Sequence, residues 1–215
     1  MIDHTLLTPG ATSSDVLALC AEARTLGVWG ICVSPTRVRI AAAELAGAAV
    51  VVTVCGFPSG AHLPHTKAHE AELAVADGAG EVDMVANLGR VKDADFAGLE
   101  REIRGVVAAA DDALVKVIIE SAALSDAEIA DSCRAAVAAG AGFVKTSTGF
   151  HPAGGATTHA VALMRQTVGQ DFGVKASGGI RTAGDALAML EAGANRLGCS
   201  ATAAILEGLP ALDPS

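Results

Sequence analysis

The feature that most constrains this chain is a recurring punctuation mark. A Gly-Ala pair closes a helical stretch just ahead of a short apolar segment at 47–48, 78–79, 140–141 and 193–194. Glycine supplies the left-handed residue that ends a helix, and the next segment starts within a few residues. Eight such apolar, often β-branched segments predict strands at 1–7, 29–34, 50–57, 81–87, 114–121, 142–148, 173–177 and 195–200. Helical stripes fall between them. Val16, Leu19, Cys20, Ala23 and Leu26 share one face over 14–26, and Phe96, Leu99, Ile103, Val106 and Val107 share another over 95–110. Residues 125–139 open on a Ser125–Glu128 capping box, and 182–192 stop at Gly193. Short strands alternating with helices imply a parallel sheet covered by helices. Eight units without a linker predict a single-domain (β/α)8 TIM barrel over 1–215. The runner-up, an open doubly wound sheet, lacks its Gly-rich turn after the first strand.

Composition narrows the function classes. The net charge is −9 and no Lys/Arg cluster exists, which argues against a nucleic-acid partner. No apolar run reaches the roughly 18 residues of a membrane span. The opening "MIDHTLLTPG" lacks the basic start and apolar core of a signal peptide, so the expectation is a cytoplasmic protein without a membrane partner. The scattered cysteines Cys20, Cys32, Cys55, Cys133 and Cys199 form no C-x-x-C and read as reduced, buried thiols.

Against that background, lysines inside apolar strands stand out. Lys116, Lys145 and Lys175 all sit in strand segments, and lysine is among the residues least often fully buried. One such lysine is readily explained by snorkelling. Lys145 in "GFVKTSTGF" and Lys175 in "GVKASGGI" are different, because they occupy consecutive strands and each precedes a Gly-rich exit. In a barrel that is the catalytic end. Adjacent strands lie about 4.8 Å apart. Two inward ammonium groups at roughly that spacing repel by about 3 kcal/mol at an effective dielectric near 20. Desolvation acts in the same direction. One lysine is then expected to be substantially neutral at working pH, able to attack a carbonyl and form a Schiff base. Asp83 in "EVDMVAN" is the strand-borne candidate for moving protons, with a salt bridge to a buried lysine as its ordinary explanation. Glu81 shares its side of the strand, nearer the start. Lys116 is expected to join this network with Glu120 or Asp83. The exits "SGGI" (177–180) and "GCSATAA" (198–204) suit a phosphate held by backbone N–H groups, and "STGF" adds Gly149.

These motifs, "VKTSTGF", "GVKASGGI", "EVDMV" and the opening "IDHTLLTPGAT", resemble the 2-deoxyribose-5-phosphate aldolases over nearly the whole chain. The resemblance implies a class I aldolase on a (β/α)8 barrel. It implies no cofactor and no metal. The small-molecule partners would be a sugar phosphate and acetaldehyde, and the assembly a homo-oligomer, a dimer. Lys145 would carry the Schiff base, Lys175 would lower its pKa and share in proton transfer, and Asp83 would relay protons. Gly149, Gly178, Gly179, Gly198 and Ser200, with Thr148, would cradle the phosphate. Asp3 and Thr5 would lie near the substrate hydroxyls. The chain departs from the family in having Thr8 where "DHTLLKP" has lysine, and "ESAALSD" after the fifth strand. It is expected to lack the family's short leader before the first strand, and it has no tyrosine to serve as a proton carrier.

Other signals weigh less. His65 and His69 have an i, i+4 metal-ligand spacing, but Thr66 reads as an ordinary N-cap and no acidic ligand joins them. Cys32 reads as core, with an approach to the barrel mouth as its alternative, and Trp29 reads as packing. A transaldolase-like Schiff-base barrel and a silent sugar-phosphate sensor are the competing functions.

Overall fold

The computed structural model describes residues 1–210. Eight strands close a parallel barrel in sequential order: β1 (Ile2–Leu6), β2 (Gly30–Val33), β3 (Val50–Cys55), β4 (Glu81–Val85), β5 (Leu114–Ile118), β6 (Phe143–Lys145), β7 (Gly173–Ser177) and β8 (Arg196–Cys199). The helices covering it are α1 (Ser13–Leu26), α2 (Val38–Leu45), α3 (Pro64–Ala76), α4 (Leu88–Lys92), α5 (Phe96–Ala109), α6 (Asp126–Ala138), α7 (Thr158–Val168), α8 (Ala183–Glu191) and α9 (Thr202–Glu207). The expected single-domain (β/α)8 barrel is therefore present. The last five residues of the expected domain, 211–215, lie outside the described residues.

The punctuation works as the sequence suggests. Gly47, Gly78, Gly140 and Gly193 all have positive φ, between 85° and 111°. Capping boxes start α1 (Thr12 with Asp15), α6 (Ser125 with Glu128) and α8 (Thr182 with Asp185). The histidine-bearing helix differs from expectation. It starts at Pro64 after Leu63, whose side chain makes no cap, so Thr66 lies inside the first turn rather than at the N-cap. Proline at the first helical position, with its φ pre-set and no N–H to satisfy, fixes that start.

Period-two alternation divides the barrel into an apolar outside and a charged inside. Val82, Met84, Val115, Val117, Val144 and Val174 belong to the buried cluster that includes Leu99, Ile103, Ile129 and Met164 of the helices. Each large aliphatic in that layer stabilises by about 1.5–3 kcal/mol. The intervening residues Glu81, Asp83, Lys116, Lys145, Lys175 and Arg196 are all buried in one ionic network. Several strands end earlier than their apolar runs do: β4, β5 and β6 stop at 85, 118 and 145. Beyond those points the chain turns at the barrel mouth. Glu120 there adopts a left-handed φ of 56°, a conformation that costs a non-glycine residue roughly 1–2 kcal/mol.

Candidate active site

The two lysines meet as their strands pair. Lys145 on β6 lies directly opposite Lys175 on β7, so both side chains leave the sheet on the same face. Both nitrogens donate to the same oxygen, Asp83 Oδ2, at 2.7 and 2.8 Å, so they are at most the sum of those lengths apart. Asp83 is fully buried on β4, and its other oxygen accepts from Lys116 at 2.7 Å.

The partners of the two lysines are unequal. Lys175 also donates to Asp3 Oδ2 at 2.5 Å, whereas among the described residues Lys145 has Asp83 as its single carboxylate. Burial alone would lower the Lys175 ammonium, but Asp3 and Asp83 outweigh it and hold its pKa well above the ordinary lysine value. For Lys145, burial is the largest influence and lowers the pKa; Asp83 opposes and the Lys175 charge adds to the lowering. Like-charge repulsion is the effect the sequence makes visible. Desolvation leads instead, because one carboxylate does not replace the hydration that a buried ammonium loses. Burial would raise the Asp83 carboxyl, yet Lys116, Lys145 and Lys175 together hold it well below the usual carboxylate range.

Lys145 is the one member of this network that reaches the cavity at the carboxyl ends of the strands, of about 230 Å3. Of the residues singled out in the sequence, Thr5, Thr148, Gly149, Gly178, Gly179, Gly198 and Ser200 line it as well. The N–H groups of Gly149, Gly178, Gly179 and Ser200 find no acceptor among the described residues, which leaves them free for an anion. Gly178 and Gly179 have φ of 84° and 85°, and the Gly178 carbonyl accepts from Ala156 N at 3.0 Å. A β-carbon on the neighbouring Gly155 would come within 2.2 Å of that carbonyl oxygen. At Gly198 a β-carbon would meet the Lys175 side chain at 3.1 Å, so this glycine also makes room for the lysine.

Some expectations change. Asp3 does not line the cavity; it is fully buried and ion-pairs with Lys175 and Arg196, because its side chain points into the barrel below the mouth. Lys116 pairs with Asp83 and Glu81, at 2.7 and 2.5 Å, and not with Glu120. Glu120 instead accepts from the Thr148 N–H at 3.2 Å and from its hydroxyl at 2.5 Å, bracing the turn after Lys145. Trp29 is more than packing. Its Nε1 donates to Glu81 at 3.0 Å, and its ring lies 4.6 Å from the Arg196 guanidinium. Arg181, in "GGIR", lines the cavity and was missed; a cation directly after a Gly-rich exit was the available signal. Cys32 is fully buried in a small cluster with Val52 and Val54, and burial pushes its thiol up to about 11. His65 and His69 are exposed on α3, and His69 faces Glu72.

A parallel barrel that presents one desolvated lysine amine at the carboxyl end of its strands defines a class, the barrels built for amine chemistry on carbonyl compounds. The model of the DeoC/LacD family aldolases matches residues 1–208, and the chain belongs to that family. It is 59% identical over 210 residues to the deoxyribose-phosphate aldolase of Kocuria rhizophila, covering 97% of this chain and 95% of that one. Among solved structures it resembles QR15, an aldolase (36% identity, TM-score 0.91, 95% and 92% covered). It also resembles the deoxyribose phosphate aldolase of Aeropyrum pernix, described as a unique tetramer (34% identity, TM-score 0.88, 96% and 88% covered).

Proposed function

We propose that this protein is a class I aldolase that reversibly cleaves 2-deoxy-D-ribose 5-phosphate to D-glyceraldehyde 3-phosphate and acetaldehyde. The observation that carries the reading is the Lys145 amine, shifted toward its neutral form and alone among the buried cations in facing the cavity. The amine attacks the C1 aldehyde of the open-chain sugar. Loss of water gives an iminium ion. Removal of the C3 hydroxyl proton then breaks the C2–C3 bond, and the bonding pair moves into an enamine on Lys145. The three-carbon aldehyde phosphate leaves, C2 takes up a proton, and water releases acetaldehyde and the free amine.

Asp83 and Lys175 are the proton carriers in this scheme. Both contact the environment of the Lys145 nitrogen, and Lys175 stays charged as a proton source. The phosphate is assigned to the backbone N–H groups of Gly149, Gly178, Gly179 and Ser200, with Arg181 at the rim. Thr5, Thr148 and Gly198 shape the wall. Asp3 holds Lys175 rather than the sugar.

Supporting a cytoplasmic location, the cysteines are all free and buried, as suits a reducing compartment, and no described helix is long and apolar enough to cross a membrane. A homo-oligomer, with a dimer as the smallest form, is the expected assembly. Treatment with acetaldehyde and borohydride should add an ethyl group to Lys145, found by mass mapping, and abolish cleavage. Full activity with an unmodified Lys145 would exclude the mechanism.

A further inference from the structure

The ionic network inside the barrel has an unequal composition. Its cations are Lys116, Lys145, Lys175 and Arg196, and its carboxylates are Asp3, Glu81 and Asp83, four against three. Every other cation in it contacts two or more carboxylates. Arg196 reaches Asp3 at 2.9 Å and Glu81 at 3.1 Å, Lys175 reaches Asp3 and Asp83, and Lys116 reaches Glu81 and Asp83. Among the described residues, Lys145 reaches Asp83 alone. A buried charge without its own counter-charge is expensive, so such a network settles by releasing one proton. The member with the fewest partners and a route to water releases it. An arginine guanidinium does not deprotonate in a protein.

We propose that Arg196 is a positioning residue for the reaction: as the non-ionisable fourth cation on three carboxylates, it obliges the network to shed a proton, and Lys145 sheds it. Arg196 itself does not line the cavity. It sits one strand beyond Lys175, paired with it in register, and its guanidinium lies 4.6 Å from the Trp29 ring and 5.5 Å from that of Phe143. The Met1 ammonium is lowered chiefly by burial and next by the Arg196 charge. Lys145, for its part, feels Asp83, Lys175 and the Cys32 thiol. Arg196 therefore acts through Asp3 and Glu81, by engaging carboxylate oxygens that would otherwise hold Lys175 and Lys116 and free Asp83 for Lys145.

The inference rests on the aldolase reading for its purpose but not for its test. Trace labelling with acetic anhydride across pH, with the Lys145 peptide quantified by mass, reports the protonation of that amine without turnover. In Arg196→Met the three remaining cations match three carboxylates, and the labelling midpoint should rise by about one pH unit, the reach of a full charge inside a protein. Arg196→Lys should leave it in place. Glu81→Gln retains an acceptor for Trp29 Nε1 but deepens the imbalance, so the midpoint should fall. The double variant Arg196→Met with Glu81→Gln restores one excess cation and should return near the starting midpoint. A purely structural role for Arg196 would move Arg196→Met and Glu81→Gln in the same direction, or neither, and either result overturns the proposal. If Arg196→Met does not fold, a Glu81→Gln midpoint that stays put or rises overturns it on its own.

Discussion

Two buried lysine sites in this barrel behave in opposite ways. Outside the strands, between α3 and α5, Lys67 donates to Glu102 at 2.6 Å and to the Val85 carbonyl at 2.7 Å. Arg90 stands beside Glu102 at 3.5 Å and pairs with Asp95. That makes two cations for two carboxylates, plus a backbone acceptor. A β-carbon on Gly56 would meet the Lys67 stem at 2.7 Å, so the chain is packed tightly against it. Inside the barrel, four cations share three carboxylates, and one of the four faces a cavity. Both lysine groups are buried. What separates a structural lysine from a reactive one is the count of counter-charges and the presence of an opening, not burial.

Lys145→Met should lower cleavage by roughly 10³-fold or more, the scale on which covalent nucleophiles matter, and abolish borohydride trapping. Cleavage within tenfold of the parent would place the nucleophile elsewhere. Lys67→Met should leave turnover near normal but cost about 3–5 kcal/mol of stability, since Glu102 loses its close partner in a dry site. Urea unfolding with an unchanged slope measures it, and a loss under 1 kcal/mol would sink the structural assignment. Lys175→Leu should reduce the rate by about 10²-fold through lost proton transfer, while stability changes less than in Lys67→Met. Its acid limb in the pH–rate profile should also move up, because the neighbouring cation that lowers Lys145 is gone and Asp83 is released to hold it. An unmoved limb would remove Lys175 from the account of that lowering.

Much of the interior was readable in advance. Barrel strands alternate strictly, and Lys145 and Lys175 lie on consecutive strands close to Gly-rich exits, so a shared inward face could be expected; the register that pairs them directly makes it so. Asp83 could be placed with them because β4 alternates the same way. The partners across the barrel were not readable. Parity fixes which face a residue occupies, but not which side chains from non-adjacent strands meet there. That is why the Asp3–Lys175 pair and the Glu120–Thr148 brace are invisible in the sequence, where Lys116 has both Glu120 and Asp83 as candidate partners. Arg196 and Lys67 passed unnoticed because arginine at a strand start and lysine on a helix look like surface residues until their partners are known. The weight of desolvation is hidden for a related reason: strand order brings two lysines side by side, but nothing in it tells how little water reaches them.

A lysine whose folded pKa lies below its unfolded value of about 10.4 weakens the fold wherever the unfolded chain is protonated and the folded site resists it. Lys145 has that sign. Its penalty is largest below the folded pKa, shrinks as pH rises between the two values, and is gone above about 10.4. Lys145→Met removes the group and leaves three cations on three carboxylates. At pH 7 the variant should therefore be more stable than the parent, by about 1.4 kcal/mol for each unit of lowering. The gain should fade near pH 11. Lys67→Met should be less stable than the parent at pH 7, because Glu102 loses its close partner. Paired thermal melts of both variants at pH 7 and pH 11 test the signs together. A Lys145→Met protein that melts below the parent at pH 7 would mean that the cavity lysine stabilises the barrel as Lys67 does, and the distinction drawn from counter-charge number would fail.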